Sequence, residues 1–360
     1  MEEKDYIPVF IQDDNKAFEW EHSADKLKES LLSGISEMNI TDEEMTAMIK
    51  KYGIENICQK VVKAFNDLTR VGLDNVEFIT NLSRRSLRAF ARFKNGKMSV
   101  DIDNYLTEEI HSFFVLIYLW ADLLYQESVS ETEYYEGDVT FAQMNDVYFT
   151  YIFTKYYALI KDNNRCDIYT LKYVIKEYEK IGTKSVFNLA VCCEQCAKYF
   201  LVAHECAHIY FQRAKIVFPN NDKIKAAEQE EFLADKIAFD IINHLISEEE
   251  KGKIDGERVL YPYTYKAPVM LLGFYYLYFV VLSLFDKSAE PLKMIDYVKK
   301  RICSLKNYIP ECEFDYDFTN GDNAYNALND TIDTFLQIFY IYRDDGRINE
   351  IIEIIEKGKR

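Results

Sequence analysis

Five histidines occur in the 360 residues, and two of them stand four apart in His204-Glu205-Cys206-Ala207-His208. On a helix that spacing leaves the two imidazoles about 40° apart on one face, so both can reach a single metal ion. Glu205 falls on the adjacent flank, where it can take a proton from a metal-activated water without being a ligand itself. The next helical segment carries Glu231-Phe-Leu-Ala234-Asp235. Ala227, Ala234, Asp235, Ala238, Ile242 and Leu245 lie within about 60° of Glu231 on the helical wheel, so two carboxylates share a small, apolar stripe. A lone buried carboxylate costs several kcal/mol, by order of magnitude, unless it is paired or metal-bound. Coordination by Glu231, and a hydrogen bond from Asp235 to a ligating imidazole, would relieve both costs. The chemistry expected is water activation at zinc, with His204, His208 and Glu231 as ligands, Glu205 as general base and Asp235 behind the ligands.

The elements that must position these residues are mainly helical. Apolar periodicity predicts helices from about Ala24, over Ile54 to Arg70, Leu106 to Tyr125, Phe141 to Ile160, Tyr169 to Tyr178, Val186 to Lys215 and Ala226 to Ile246. An extended apolar run spans Tyr6 to Ile11, and Thr41 with Glu44 has capping-box spacing. The hairpin signal lies between Leu87 and Asp103, where Asn95-Gly96 suits a type I′ turn and Val100 and Ile102 alternate with aspartates. The turn-rich Phe218 to Asp222 joins the two motif helices.

Only 12 Gly and 6 Pro punctuate a chain that is 49% apolar with 28 Tyr and 24 Phe, which favours long helices over a barrel or sandwich. The fold class expected is mostly α, α+β, with a small sheet near the His204 helix. No linker-like composition marks a domain cut. From the motif positions, residues 1–75 are expected to form an N-terminal strand and helical region, 76–300 the core that carries the motif pair and 301–360 a C-terminal helical region. Sixty acidic against 43 basic residues give a formal charge of −17, which repels a phosphate backbone and argues against nucleic acid as partner. Were that charge also to line the cleft, a basic or neutral protein substrate would be expected.

MEEKDYIPVF lacks a basic segment followed by an apolar one, so a cytoplasmic address is expected. The eight cysteines do not form a disulfide framework, and Cys193 and Cys196 read as core-facing thiols. Cys206 points about 160° from the His face, and Cys193 lies roughly 16 Å back along the axis, beyond ligand reach. Ala267 to Phe285 has no charged residue in nineteen positions, long enough for a membrane span. Its Pro268, Gly273 and three tyrosines favour a buried core helix instead. Among the other histidines, His244 falls nearly opposite Glu231 on its helix, His111 suits a hydrogen bond within the fold, and His22 sits near a helix start.

The motif pair resembles the gluzincin branch of zinc metallopeptidases, whose pattern is HExxH followed by a helix bearing ExxAD or ExxSD. The likeness covers Phe200 to Ile242. It implies a zincin-like architecture and a zinc-dependent endopeptidase acting on a protein or peptide, in which Glu205 accepts a proton from water and returns it to the leaving amine. An edge strand would then hold the substrate extended. The apolar helix that follows is similar, more loosely, to that of phage-exclusion peptidases of the Lit kind. The metzincin pattern fits worse, because Phe211 and Lys215 stand where its glycine and third histidine belong. A Ser-x-His-Pro element found in many such relatives is replaced by Ser288-Ala289-Glu290-Pro291. The alternative reading is a zinc-binding regulatory or protein-interaction module without hydrolysis.

Overall fold

The computed structural model describes residues 54–69, 71–81, 87, 89–94, 97–129, 141–162, 184–218, 223–252, 266–308 and 321–357. Among them are nine helices and one three-stranded sheet, the mostly α, α+β class expected from composition. Helix α1 is Ile54–Leu68, followed by β1 (Val76–Asn81), β2 (Ala89–Lys94) and β3 (Lys97–Asp103). Then come α2 (Asn104–Val129), α3 (Phe141–Asp162), α4 (Lys184–Arg213), α5 (Lys223–Glu249), α6 (Lys266–Leu282), α7 (Glu290–Lys306), α8 (Gly321–Asp344) and α9 (Arg347–Lys357). The expected run at Tyr6, the helix from Ala24, the Thr41 cap, His22 and the helix at Tyr169 lie outside the described residues. Helix α7 runs continuously across the 300/301 division drawn from the sequence.

Helix α4 is the axis of the molecule. Thirty residues give it a length of about 45 Å, and from Tyr199 to Ala207 every residue is buried. Helices α1, α2, α5 and α6 and the sheet all pack on it. Ala203 and Ala207 of α4 and Ala234 and Ala238 of α5 are fully buried, and such small side chains let the two motif helices approach closely. Ala227 departs from the expected stripe: it is exposed, because it sits only a turn inside the start of α5.

The sheet has the order β1-β3-β2, with β1 parallel and β2 antiparallel to β3. Lys94 pairs with Lys97, which leaves Asn95 and Gly96 as the two-residue connection expected between the strands. Alternation puts Met98, Val100 and Ile102 on one face with Ala89, Ala91 and Phe93, where Val100 and Ile102 join the apolar core, and puts the buried Ser99 and Asp101 on the other face. Arg213, the last residue of α4, fixes the sheet to the helix. Its guanidinium donates to the carbonyls of Gly72 and Asp74, the latter at 2.6 Å, and Nε lies 3.0 Å from Met98 Sδ. Asn66 adds a second tie, accepting the Leu73 amide at 2.7 Å, and Asn75 takes the left-handed φ of 66° that asparagine tolerates.

Helix α6 is the apolar segment whose length suggested a membrane. Its residues from Ala267 to Phe274 are all buried, and Tyr156 of α3 donates to the Phe274 carbonyl at 3.0 Å. No helix among the described residues is long and apolar enough to cross a membrane. Gly273 lets α8 approach, since a Cβ there would meet Ile332 Cδ1 at 2.7 Å.

One buried carboxylate ties α4 to α2. Glu194 is paired with His111, whose Nδ1 lies 2.5 Å away, and with Lys198 one turn on. Burial disfavours its charge, but the contacts with His111 and Lys198 outweigh that and hold its pKa at about 2. The unfolded chain binds this proton near 4.5, so the stabilisation is complete above that pH and fades as pH falls toward 2. Glu194→Gln is expected to cost about 2–3 kcal/mol at pH 7 in urea unfolding, and its deficit against the native protein should narrow below pH 4.5. A deficit independent of pH would remove the ionic account.

Candidate metal centre

Each imidazole of the HExxH turn is gripped from behind by a carboxylate of α5. Asp235 Oδ1 lies 2.9 Å from His204 Nδ1, and Glu230 Oε1 lies 2.9 Å from His208 Nδ1. Both Nε2 atoms are thereby turned toward one another, 3.2 Å apart, with the rings nearly perpendicular. Glu231 closes the third side, its Oε2 3.2 Å from His204 Nε2 and its Oε1 3.4 Å from His208 Nε2. These three residues offer donor atoms within 4.8 Å of one another and can hold a metal ion. Two imidazole nitrogens and one carboxylate suit zinc with an open fourth position, and a carboxylate on each Nδ1 fixes the tautomer that frees Nε2.

The same packing explains the charge states. Burial opposes charge on His204, but hydrogen bonds to Asp235 and Glu231 prevail, and in the metal-free protein its pKa rises to about 9. Burial likewise pushes Glu231 and Asp235 up, and is overcome by His204 for the first and by Arg301 for the second, leaving each at about 2. The apo cluster therefore holds a proton that a metal must displace at neutral pH.

Glu205 is 8% exposed and its pKa is raised by burial, with the neighbouring His204 and His208 working against the rise. Its carboxylate accepts a hydrogen bond from the backbone N–H of Ala91 in β2. Ala91 thus turns its amide away from β3, and by alternation the outer edge of β2 faces the HExxH turn. Aromatic rings line the rest: Phe200 lies 6.3 Å from the His204 ring, Phe211 6.1 Å from the His208 ring, and Phe218 packs on Phe211 at 5.4 Å.

The structure brings together all five residues singled out from the sequence and adds two. Glu230 adjoins Glu231 in sequence, and its role follows from the single residue step that moves it toward His208. Arg301 of α7 is 66 residues beyond Asp235 and binds it bidentately, Nε to Oδ2 at 2.8 Å and Nη2 to Oδ1 at 2.6 Å. Its Nη1 lies 3.4 Å from Glu231 Oε2, and Tyr297 packs against the guanidinium. Burial disfavours the Arg301 charge, but Asp235 and Glu231 more than restore it. No local sequence signal marks Arg301.

The other candidates behave as ordinary fold residues. Cys193, Cys196 and Cys206 are all fully buried, and burial pushes their thiols up. His244 is partly buried, 3.9 Å from Asp67 of α1, away from the site. No family model, no curated protein and no solved structure matches this chain.

Proposed function

We propose that the protein is a zinc-dependent endopeptidase of gluzincin type, hydrolysing peptide bonds of a protein substrate with Glu205 as general base. The observation that carries this reading is the paired arrangement of the two imidazoles: each Nδ1 is occupied by a carboxylate and each Nε2 is left facing Glu231. A bound zinc ion would supply Lewis acidity, polarising a carbonyl and lowering the pKa of water. Glu205 has no place among the ligand atoms, and burial raises its proton affinity, which suits a group that takes a proton from water and returns it to a leaving amine. With the Ala91 amide taken by Glu205, the outward backbone groups of Ala89 and Phe93 on β2 would pair with an extended substrate and set the scissile bond beside Glu205.

Zinc titration followed by thermal unfolding tests the metal first. Zinc at about a hundredfold excess over its Kd is expected to add about 2.7 kcal/mol of stability, reversed by chelator and absent in His204→Ala. Chelator-sensitive cleavage of a proteome-derived peptide library tests the chemistry. Zinc binding without any such cleavage would favour the non-hydrolytic regulatory module, and no stabilisation by zinc would remove both readings.

A further inference from the structure

Between Ser83 and Lys97 the chain carries Arg84, Arg85, Arg88, Arg92, Lys94 and Lys97 and not one acidic residue, in a protein whose formal charge is −17. That segment is β2 with its immediate flanks, the strand whose Ala91 amide holds Glu205. We propose that β2 selects an acidic stretch of polypeptide: the substrate is recognised by acidic side chains alternating along an extended strand. This rests on the reading of β2 as the strand beside which the substrate lies.

The face of β2 opposite Ala89 and Ala91 carries Phe90 and Arg92, in register with the buried Asp101 and Ser99 of β3. Arg92 is held in place rather than waving in solvent. Its guanidinium packs over the Phe90 ring at 4.7 Å, and Nη2 meets Asp101 Oδ2 of β3 at 2.9 Å, while 41% of the side chain stays exposed. Lys97 opposite Lys94 is exposed as well. A strand added to the outer edge of β2 would set every second side chain beside this row, where opposite charges on adjacent strands attract and like charges repel. The carboxylates of the metal centre do not cancel the effect. A divalent ion together with Arg301 would offset three of the four, Glu205, Glu230, Glu231 and Asp235. The overall negative charge therefore says little about the cleft, and the basic or neutral substrate expected from it is replaced by an acidic one.

Nucleic acid is the rival partner for a basic segment with interleaved aromatics, and the −17 charge of the rest of the surface disfavours it. Binding is measured by fluorescence anisotropy on the full-length, zinc-loaded Glu205→Gln protein, so that turnover is not required. The probes are three labelled peptides of one length that alternate Val with Glu, Gln or Lys, and a labelled single-stranded oligonucleotide. The Glu peptide is expected to bind at least about tenfold tighter than the Gln peptide at low salt, with the difference collapsing near 0.5 M salt. Lys94→Glu with Lys97→Glu should erase the preference, with unchanged circular dichroism showing that the hairpin still folds. Equal affinity for the Glu and Gln peptides, or tighter binding of the Lys peptide, overturns the proposal, as does an oligonucleotide that outcompetes the Glu peptide. If the Glu peptide binds as expected but the native protein never cuts it, acidic recognition stands and the peptidase reading falls. If the native protein cuts Glu, Gln and Lys peptides alike, the peptidase stands and the acidic selection falls.

Discussion

Glu205→Gln is expected to lower peptide hydrolysis by about 10²- to 10⁴-fold while leaving zinc affinity within a few-fold of the native protein. The substitution isolates proton transfer because it preserves everything else the carboxylate does. A glutamine Oε1 still accepts the Ala91 amide, so β2 keeps its place against α4. The removed charge is buried, and its loss relieves a desolvation cost, so the variant should melt no lower than the native protein. The proposed metal ligands are untouched, since Glu205 contributes no donor atom to the His204, His208 and Glu231 group. Steady-state cleavage of a quenched-fluorescence peptide and chelator competition for zinc measure the two quantities separately. Turnover equal to that of the native protein would end the general-base assignment. A parallel loss of zinc would show that Glu205 acts on the metal rather than on water.

The parts of this site that sequence revealed are those encoded within single helices. A four-residue separation fixes two side chains on one face whatever the tertiary fold, and the same holds for Glu231 and Asp235 on α5. The hairpin was legible for an equally local reason, because Asn-Gly specifies a turn and alternating Val100 and Ile102 specify a face. What stayed hidden depends on packing between distant segments. Arg301 reaches Asp235 only because α7 docks beside α5, and the Ala91 amide meets Glu205 only because Arg213 ties the sheet to the end of α4. Strand β1 joins the sheet as a parallel neighbour of β3, a pairing that no local turn announces. Ala227 shows the converse: the wheel places it on the buried stripe, but a wheel does not say where the neighbouring helix ends. The basic run at β2 is plain in the sequence, yet it acquires meaning only once the strand is seen beside Glu205.

Asp235 separates the two roles the carboxylate cluster would have, holding the fold and holding a metal. It is fully buried, and one of its oxygens serves both Arg301 Nη2 and His204 Nδ1. Asp235→Ala leaves the Arg301 guanidinium buried without its bidentate partner, which is expected to cost about 3–5 kcal/mol of stability. The same change frees the His204 ring from its anchor and should weaken zinc binding about 10- to 100-fold. Adding Arg301→Met removes the stranded charge and fills its volume with an unbranched apolar chain, so the double variant should regain most of the lost stability. Zinc affinity should not return with it, because nothing in the double variant orients His204 Nδ1. Urea unfolding of the metal-free proteins reads the first effect, and chelator competition reads the second. Recovery of both together would mean that Asp235 affects zinc only by keeping the protein folded. Recovery of stability alone identifies it as the residue that aims His204 at the metal, with Arg301 as the counter-charge that lets a carboxylate be buried there.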